Sequence, residues 1–392
     1  MTSSSRPRWR WEEATGPEAI ENLAPAWSEL VRNLGLPFTS GALWLRCFWE
    51  AFGDSGEDLT VLSAREEERL VAVLPLRRKG RMLRRWAPVS NFHSPSFVFA
   101  SMRPTVDAAQ AILDHLLGSS DVIELGPVQP RAEFCVALIE AARSRRFPVV
   151  EDAGGSDALI ELRGPWETFR RSLSQNLESA TARHQRQLQR LGELVFEEVT
   201  GGDWLPSLLQ ECFELEAAGW KADYGSPILS RKDTLRFYTD LARRGAAAGA
   251  LAVYILRLDG RLIAFEYCLR AGRRIDMLKI SYAPDLARYS PGNVLRYRVL
   301  KTEIERGEVA SYHMGYASDW KLRWANRVDP LIRLKIHGRG ACARLAYWGA
   351  SARVLLKRCR PVRAAVRWTR SKVEAISRRR LAVTRATERT NS

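Results

Sequence analysis

Apolar and polar residues alternate along three consecutive segments in the second half of the chain, residues 251–258, 261–270 and 273–282. Alternation with a period of two predicts β-strands, whose successive side chains point to opposite faces of a sheet. The pairs Asp259-Gly260 and Ala271-Gly272 separate the three segments. Glycine accepts the positive φ that a tight hairpin turn needs. The pattern therefore predicts a three-stranded antiparallel meander.

A loop and an amphipathic helix follow this meander. Ser290-Pro291-Gly292-Asn293 leads into a segment with apolar residues at helical spacing: Val294, Leu295, Val299 and Ile304. The first N–H groups of a helix lack internal partners and the helix dipole is positive there, so the helix start suits an anion such as pyrophosphate. An ordinary capped turn is the alternative, because neither GxGxxG nor GxxxxGK[ST] occurs. A short strand over 309–314 comes next.

The first half of the chain repeats this order in outline. Helical patterns at 16–34 and 40–52 precede strand patterns at 58–64, 69–76 and 82–88, and then come a helix, a strand, a helix and a strand at 106–117, 122–125, 132–146 and 158–162. We interpret this as a degenerate duplication. The predicted division is a first domain at 1–163, a connecting helix at 164–192, a second domain at 193–338 and a helical tail at 339–392.

The composition fits a globular α/β or α+β protein. A chain of 392 residues is too long for one ordinary core and predicts two domains with an appendage. The six cysteines are scattered, with no CxxC motif or Cys/His cluster, so neither a disulfide framework nor a metal site is expected. No apolar run predicts a membrane span, and residues 1–10 lack the apolar core of a secretory signal. We expect a reducing, cytoplasmic compartment.

Most of the net charge of +16 lies at the C-terminus. Residues 338–392 contain 15 Lys and Arg and 2 Asp and Glu, a net charge of +13, with Trp348 and Trp368 among them. A basic amphipathic helix with Trp is typical of contact with an anionic membrane surface. We therefore expect peripheral association with the inner face of the membrane. An RNA contact and a merely solvated extension are the alternatives.

The order hairpin, strand, loop, helix, strand over 251–323 resembles the core of the GNAT acyltransferase superfamily. Four pieces are similar to the acetyltransferase branch that includes the CelD proteins of cellulose biosynthesis gene clusters, a branch related to the FemAB peptidyltransferases: Ser-Tyr-Ala-Pro at 281–284, Tyr-Ser-Pro-Gly at 289–292, Gly307, and Asp-Trp-Lys at 319–321. The resemblance covers roughly residues 166–337. The chain departs from that branch at 312–318, where the usual acidic run is missing, and at Trp320, where Tyr is usual.

The resemblance implies two tandem GNAT-like domains, each a mixed, mostly antiparallel sheet flanked by helices. It also implies acyl-CoA, with acetyl-CoA the expected form, as a co-substrate that reacts without a metal. The acceptor attacks directly in a ternary complex, and a sugar, a polysaccharide or an envelope precursor is expected in that role. The loop and helix after the central strand would hold the donor, through Ser281, Tyr289, Ser290, Gly292 and Asn293.

Acyl transfer needs a base for the acceptor, a stabilised oxyanion and a proton for the thiol. Glu266 is the first candidate base, because a carboxylate inside the apolar strand 263–269 is costly unless it is paired or functional. An ion pair with Lys279 or Arg273 on the adjacent strand is the alternative. His313 is the second candidate base, and Tyr282 or Tyr289 is the candidate proton donor.

Six residues are candidates for the acceptor side: Trp220, Lys221, Lys279, Asp319, Lys321 and His93. The first two end an Ala-Gly-Trp-Lys piece at 218–221 that resembles the CelD-like group, and in GNAT folds this loop helps to shape the acceptor pocket. His93 stands in a polar and aromatic loop, where sites tend to occur. Two other functions remain open. One is a FemAB-like transfer from charged tRNA, and the other is a non-catalytic GNAT scaffold in polysaccharide biosynthesis.

Overall fold

The computed structural model describes residues 9–53, 58–94, 98–219 and 228–358. The helices are α1 (Glu18–Asn33), α2 (Ala42–Phe52), α3 (Val106–Ser119), α4 (Glu133–Ser144), α5 (Trp166–Ser172), α6 (Gln175–Leu191), α7 (Leu205–Ala218), α8 (Lys232–Ala247), α9 (Pro291–Arg306), α10 (Asp319–Leu322) and α11 (Ala341–Arg358). The strands are β1 (Arg10–Thr15), β2 (Leu59–Glu66), β3 (Arg69–Lys79), β4 (Arg85–Pro88), β5 (Ala100–Ser101), β6 (Val122–Val128), β7 (Val149–Glu161), β8 (Leu194–Val199), β9 (Leu251–Leu258), β10 (Arg261–Ala271), β11 (Arg274–Tyr282), β12 (Ser311–Tyr316) and β13 (Arg327–His337).

The predicted meander is present as β9, β10 and β11. Asp259 and Gly260 both have positive φ, 48° and 77°, as a primed two-residue turn requires.

The segment from Trp166 to residue 191 differs from the prediction of one long helix. Leu173 is extended, with ψ at 149°, and Ser174 begins α6 by accepting a hydrogen bond from the Leu177 N–H. A side-chain cap therefore breaks the predicted helix into α5 and α6.

All the described strands belong to one sheet. Its order is β1-β2-β3-β4-β6-β13-β7-β12-β11-β10-β9-β8, and β5 pairs with β3 off this path. The pairs β4–β6 and β11–β12 are parallel, and the remaining pairs are antiparallel. Each half of the chain thus contributes an antiparallel group of strands followed by one parallel neighbour. The predicted class, tandem mixed and mostly antiparallel sheets with flanking helices, is confirmed.

The last strand of each half pairs with the other half. β7, from the first half, lies beside β12, and β13, from the second half, lies beside β6. β7 and β13 also pair with each other, from Leu159 opposite Arg327 to Val149 opposite Ile336. The two halves therefore exchange strands at the centre of the sheet. The division of the chain at residues 163 and 193 stays a prediction.

One hydrophobic core also joins the halves. It contains buried residues of α1 and α2 from the first half and of α7 and α8 from the second. Trp44 of α2 meets Phe237 of α8 edge to face, with ring centroids 5.1 Å apart. A second core lies under α5, α6 and α9, and a third under α3 and α4. Within the described ranges, no helix has the length and apolar character to cross a bilayer.

Candidate active site

β11 and β12 begin side by side and then diverge. Their parallel pairing covers Arg274–Ser311, Ile275–Tyr312 and Asp276–His313 only. Beyond these residues β11 continues against β10, and β12 continues against β7. A gap therefore opens between residues 277–282 of β11 and residues 314–316 of β12. We call this gap the wedge. The backbone edge of β11 that faces it is not paired with β12.

α9 begins at the same end of β11 as the wedge. A 3₁₀ turn, Pro284–Tyr289, leads from the strand to Ser290, which has φ 46° and ψ 53°. The Ser290 carbonyl accepts hydrogen bonds from the N–H groups of Asn293 and Val294. The Ser290 side chain makes no capping bond. A Cβ at Gly292 would meet the Tyr282 ring at 3.6 Å, so the start of α9 lies against the last residue of β11.

A buried ion pair lies where the strands diverge. Glu266 of β10 is 1% exposed and Arg296 of α9 is 2% exposed. The Nε and Nη2 atoms of Arg296 donate to Oε1 of Glu266 at 2.9 and 2.6 Å, and the Tyr312 hydroxyl donates to the other oxygen. Both carboxylate oxygens are therefore engaged. The predicted ion pair of Glu266 with Lys279 or Arg273 on the adjacent strand is therefore wrong. The partner cation is Arg296, which comes from α9 and not from β11.

Arg296 also contacts both walls of the wedge. Its Nη2 lies 2.9 Å from Sδ of Met277 on β11, and its Nη1 lies 2.9 Å from Sδ of Met314 on β12. The Trp320 ring lies 4.9 Å from the guanidinium carbon, within cation–π range. Burial opposes the charge of Arg296, but the attraction of Glu266 and Tyr312 outweighs it and raises the Arg296 pKa above its ordinary value. Arg296 was not among the predicted site residues.

A bulge in β11 changes the sheet face to which the predicted residue Lys279 points. Tyr267 pairs with Lys279 and Cys268 pairs with Met277, so Leu278 is the extra residue. Directly opposed residues share a face, and Leu269 opposes Asp276. Strict alternation predicts opposite faces for Asp276 and Lys279, three positions apart. The extra residue at the bulge reverses this expectation, so the side chains of Asp276 and Lys279 both point to the sheet face that carries Tyr267.

Lys279 belongs to a polar chain on that face, opposite α9. Its Nζ lies 3.6 Å from Oε1 of Glu216, which is fully buried, and 5.1 Å from the centre of the Tyr238 ring. The Tyr238 hydroxyl lies 3.2 Å from Nδ1 of His93, and Oγ1 of Thr234 lies 3.4 Å from Nε2 of the same ring. His93 comes from the first half and is 7% exposed. Its hydrogen bonds thus join the first half to the second, next to Lys279, another of the residues predicted to bind the acceptor.

Ser281 is separated from the other predicted donor residues. Its hydroxyl donates to the Leu215 carbonyl of α7 at 3.3 Å, on the face opposite α9. A Cβ at Gly219 would lie 3.1 Å from the same hydroxyl. Gly219 therefore lies directly beside Ser281. Trp220 and Lys221, predicted for the acceptor, lie outside the described residues.

His313 also faces away from α9. It opposes Asp276 in the parallel pair, and its Nε2 lies 3.1 Å from Oγ of Ser311. Burial, helped by the Arg274 cation, lowers the His313 pKa to about 4. The ring is therefore neutral near pH 7 and can accept a proton, but it is a weak base.

The remaining predicted residues surround the wedge. Tyr289 packs under the Arg288 guanidinium at 4.6 Å, and Asn293 accepts a hydrogen bond from Nε1 of Trp324 at 3.4 Å. Lys321 donates to the carbonyls of Met314 and Tyr316 at 2.5 and 2.9 Å, which fixes the end of β12. Asp319 is exposed at the start of α10.

A second buried ionic network lies near the other end of α9. Arg270 of β10 donates to both oxygens of Glu303 at 2.7 and 2.8 Å and to Glu198 at 2.6 Å. Glu303 is fully buried and accepts from the Tyr254 hydroxyl at 3.0 Å. This network is distant from the start of α9 along the helix. It provides a structural counterpart to the Glu266–Arg296 pair.

The second half of the chain is similar in sequence to a known family, and the whole chain is similar in fold to solved structures. Residues 175–322 match the family model described as an acetyltransferase (GNAT) domain. No curated protein matches the sequence. A solved structure of FemX is 10% identical, with a TM-score of 0.59 over 86% of this chain and 99% of that chain. The C-terminal domain (DUF2156) of a putative lysylphosphatidylglycerol synthetase from Agrobacterium fabrum is 16% identical, with a TM-score of 0.52 over 85% of this chain and 96% of that chain.

At these identities the two structures support the fold alone. The matched residues run from α6 to α10 and include β11, the start of α9 and the ion pair in the wedge. Residues 175–322 are therefore similar to an acetyltransferase (GNAT) domain, and they lie within a two-half fold similar to that of FemX.

Proposed function

We propose that this protein transfers an acyl group from acyl-CoA, with acetyl-CoA the simplest donor, to an amine or hydroxyl of an acceptor bound between the two halves. The observation that carries this proposal is the divergence of β11 and β12 directly beside the start of α9, inside the residues that match the GNAT domain. This arrangement places a strand edge that is not paired with β12 next to a helix start, where one extended ligand could contact both.

The donor would lie along β11 with its phosphates at α9. The edge of residues 277–282 that faces the wedge can pair with the amides of a pantetheine arm, in the manner of strand addition. The N-terminus of α9 favours negative charge, and Tyr289, Ser290, Gly292 and Asn293 surround it. In this proposal Ser281 belongs to the acceptor side, because its hydroxyl faces α7.

The thioester carbonyl would then lie near the Glu266–Arg296 pair. Direct attack joins the acceptor N or O to the carbonyl carbon, breaks the C–S bond and releases the CoA thiol. Glu266 remains the first candidate for taking the acceptor proton, although its side chain lies on the α9 face of the sheet. This role therefore requires the acceptor group to reach through the wedge from the Lys279 face, and Tyr312 or Arg296 to release one oxygen. His313 is the second candidate. Tyr282, beside Gly292, is the candidate that returns a proton to the thiolate.

The acceptor would occupy the face of Lys279, where the Glu216, Tyr238 and His93 side chains meet. Asp319 and Lys321 flank the wedge end of β12, and Trp220 and Lys221 follow Gly219. The likeness of these pieces to the CelD-like branch supports a sugar, a polysaccharide or an envelope precursor as the acceptor. The polar character of this face fits such a hydroxyl-rich or amine-bearing molecule.

A second candidate function is transfer of an aminoacyl group from charged tRNA. Arg183, Arg186 and Arg190 are exposed on α6, which packs against α9 and the 284–289 turn. An exposed arginine row suits a polyanion. The same row also suits the phosphates of CoA, so it does not exclude the first function.

Donor binding distinguishes the two functions. A ligand that binds the folded state alone raises the unfolding temperature by mass action. We expect millimolar acetyl-CoA to raise it and charged tRNA to leave acetyl-CoA binding unaffected. Transfer of a labelled acetyl group to amino sugars and oligosaccharides then tests the reaction. Absence of any shift with acetyl-CoA, together with binding of charged tRNA over uncharged tRNA, would overturn the proposal in favour of the second function. A chain that binds neither donor would be a scaffold.

A further inference from the structure

The last described helix, α11, has two apolar faces. Its inner face packs on the central strands β7 and β13. Ala343 is fully buried there, and Tyr347 meets the His337 ring edge to face at 5.6 Å. Lys357 pairs with Asp152 of β7. These contacts fix the helix on the body of the protein and decide which of its residues point outward.

The outer face of α11 is apolar along its whole length. At 100° per residue, seven residues fall within an arc of about 120°: Ala341, Leu345, Trp348, Gly349, Ala352, Leu355 and Leu356. All seven are exposed. The exposed fractions of the four large side chains are 73% for Leu345, 69% for Trp348, 62% for Leu355 and 53% for Leu356. We call this surface the outer face of α11. A contiguous exposed apolar surface marks an interaction site.

The charged residues of α11 itself are all basic. Arg344 and Arg353 flank it on α11 itself. The sequence contains no Asp or Glu from Gly338 to Val373, and residues 359–392 carry 10 Lys and Arg against 2 Glu. An apolar helix face with Trp, bordered by basic residues, complements an anionic bilayer surface, where the apolar side chains enter the headgroup boundary and the cations meet the lipid phosphates.

We propose that the outer face of α11 docks the protein onto an anionic lipid surface, with the helix lying in the plane of the interface. The apolar face inserts, and the basic residues that flank it on α11, Arg344 and Arg353, hold the headgroups. This surface is separate from the wedge and goes beyond the transfer reaction.

Co-sedimentation of the full chain with vesicles tests the proposal. We expect binding to phosphatidylcholine vesicles that contain phosphatidylglycerol, weak binding to phosphatidylcholine alone, and a decrease in binding with salt. The variant L345Q/W348Q/L355Q keeps every charge and should lower the binding constant at least about tenfold, because three apolar side chains no longer enter the interface. The matched control M82Q/L191Q replaces apolar residues that are 92% and 48% exposed elsewhere and should bind like the wild type.

Three results would overturn the proposal. The first is equal vesicle binding by the wild type and the L345Q/W348Q/L355Q variant, at unchanged unfolding temperatures. The second is complete displacement from vesicles by an RNA oligomer of equal charge, which would assign the basic segment to nucleic acid. The third is a lipid-free dimer, seen by light scattering, that the triple variant dissociates and that does not bind vesicles. In that case a second copy of the chain covers the face.

Discussion

Arg296 of α9 donates two hydrogen bonds to a single carboxylate oxygen of Glu266, a residue 30 positions earlier on β10. The same guanidinium touches Met277 on β11 and Met314 on β12. One side chain thus connects the helix at the proposed donor site with the strand that carries the candidate base and with both walls of the wedge. Any change in this pair should affect stability and activity together, and the two effects need separate controls.

The variant Glu266→Gln should lower both stability and turnover. It leaves the buried Arg296 without its counter-charge, which costs about 3–5 kcal/mol of unfolding free energy. Loss of a general base lowers turnover by about 10²–10⁴-fold. Glu303→Gln is the matched control, because Glu303 is also buried and paired with an arginine, near the far end of α9. Turnover per folded molecule should fall for the first variant alone. Equal turnover of the two would make Glu266 structural and favour His313.

The variant Gly292→Glu should abolish the acetyl-CoA shift in unfolding temperature. A carboxylate at the start of α9 repels the phosphates of the donor at the site where the helix dipole attracts them. Gly292→Ala is the control, since its Cβ would make only an ordinary contact with Tyr282 at 3.6 Å. The alanine variant should keep the shift. If the glutamate variant keeps it as well, the donor does not bind at α9.

The pKa of His313 predicts a loss of stability in mild acid. Burial lowers it to about 4 in the folded protein, from an ordinary value of 6.5. The unfolded chain therefore binds more protons between pH 4 and 6.5, and the unfolding free energy falls as pH falls through that window. The shift corresponds to at most about 3 kcal/mol. Denaturant unfolding at several pH values should show a smaller decrease for His313→Gln. Parallel profiles for the two proteins would contradict the assignment.

The two halves should unfold in one transition. They share a core and exchange strands, so neither can lose its structure while the other keeps its own. His93→Ala removes a ring that stacks on Phe52 at 5.2 Å and contacts Tyr238, which should cost about 2–3 kcal/mol. Circular dichroism and tryptophan fluorescence should give the same shifted midpoint. Met82→Ala, at an exposed position, should leave the midpoint unchanged. Separate midpoints for the two probes would show independent halves.

Local features of the sequence predicted local features of the fold. The Asp259-Gly260 turn, the meander around it and the start of α9 follow from residues close together in the chain. Arg296 was missed, although a signal existed: it stands three and four positions before the apolar Val299 and Leu300, where a charged residue on the buried side of a helix needs a partner. That partner lies on another element, so spacing alone could not identify it.

Features that depend on distant pairing were not predictable in this way. The bulge at Leu278 changes the face of Lys279 through the register with β10. β13 was missed altogether, and its position between β6 and β7 depends on residues from both halves of the chain. The side-chain face of Ser281 follows from the packing of α7, which no pattern along β11 reveals.

The strand exchange has a consequence for synthesis of the chain. During translation β6 and β7 emerge long before β13, the strand that separates them in the finished sheet. The nascent protein must therefore keep two unpaired strand edges from aggregating until residues 327–337 arrive, since contacts between distant segments close slowly. A fragment trimmed to residues 175–322 would lack both β7 and β13, and its β12 would have an open edge. Completion of the matched domain thus depends on residues made before it and after it.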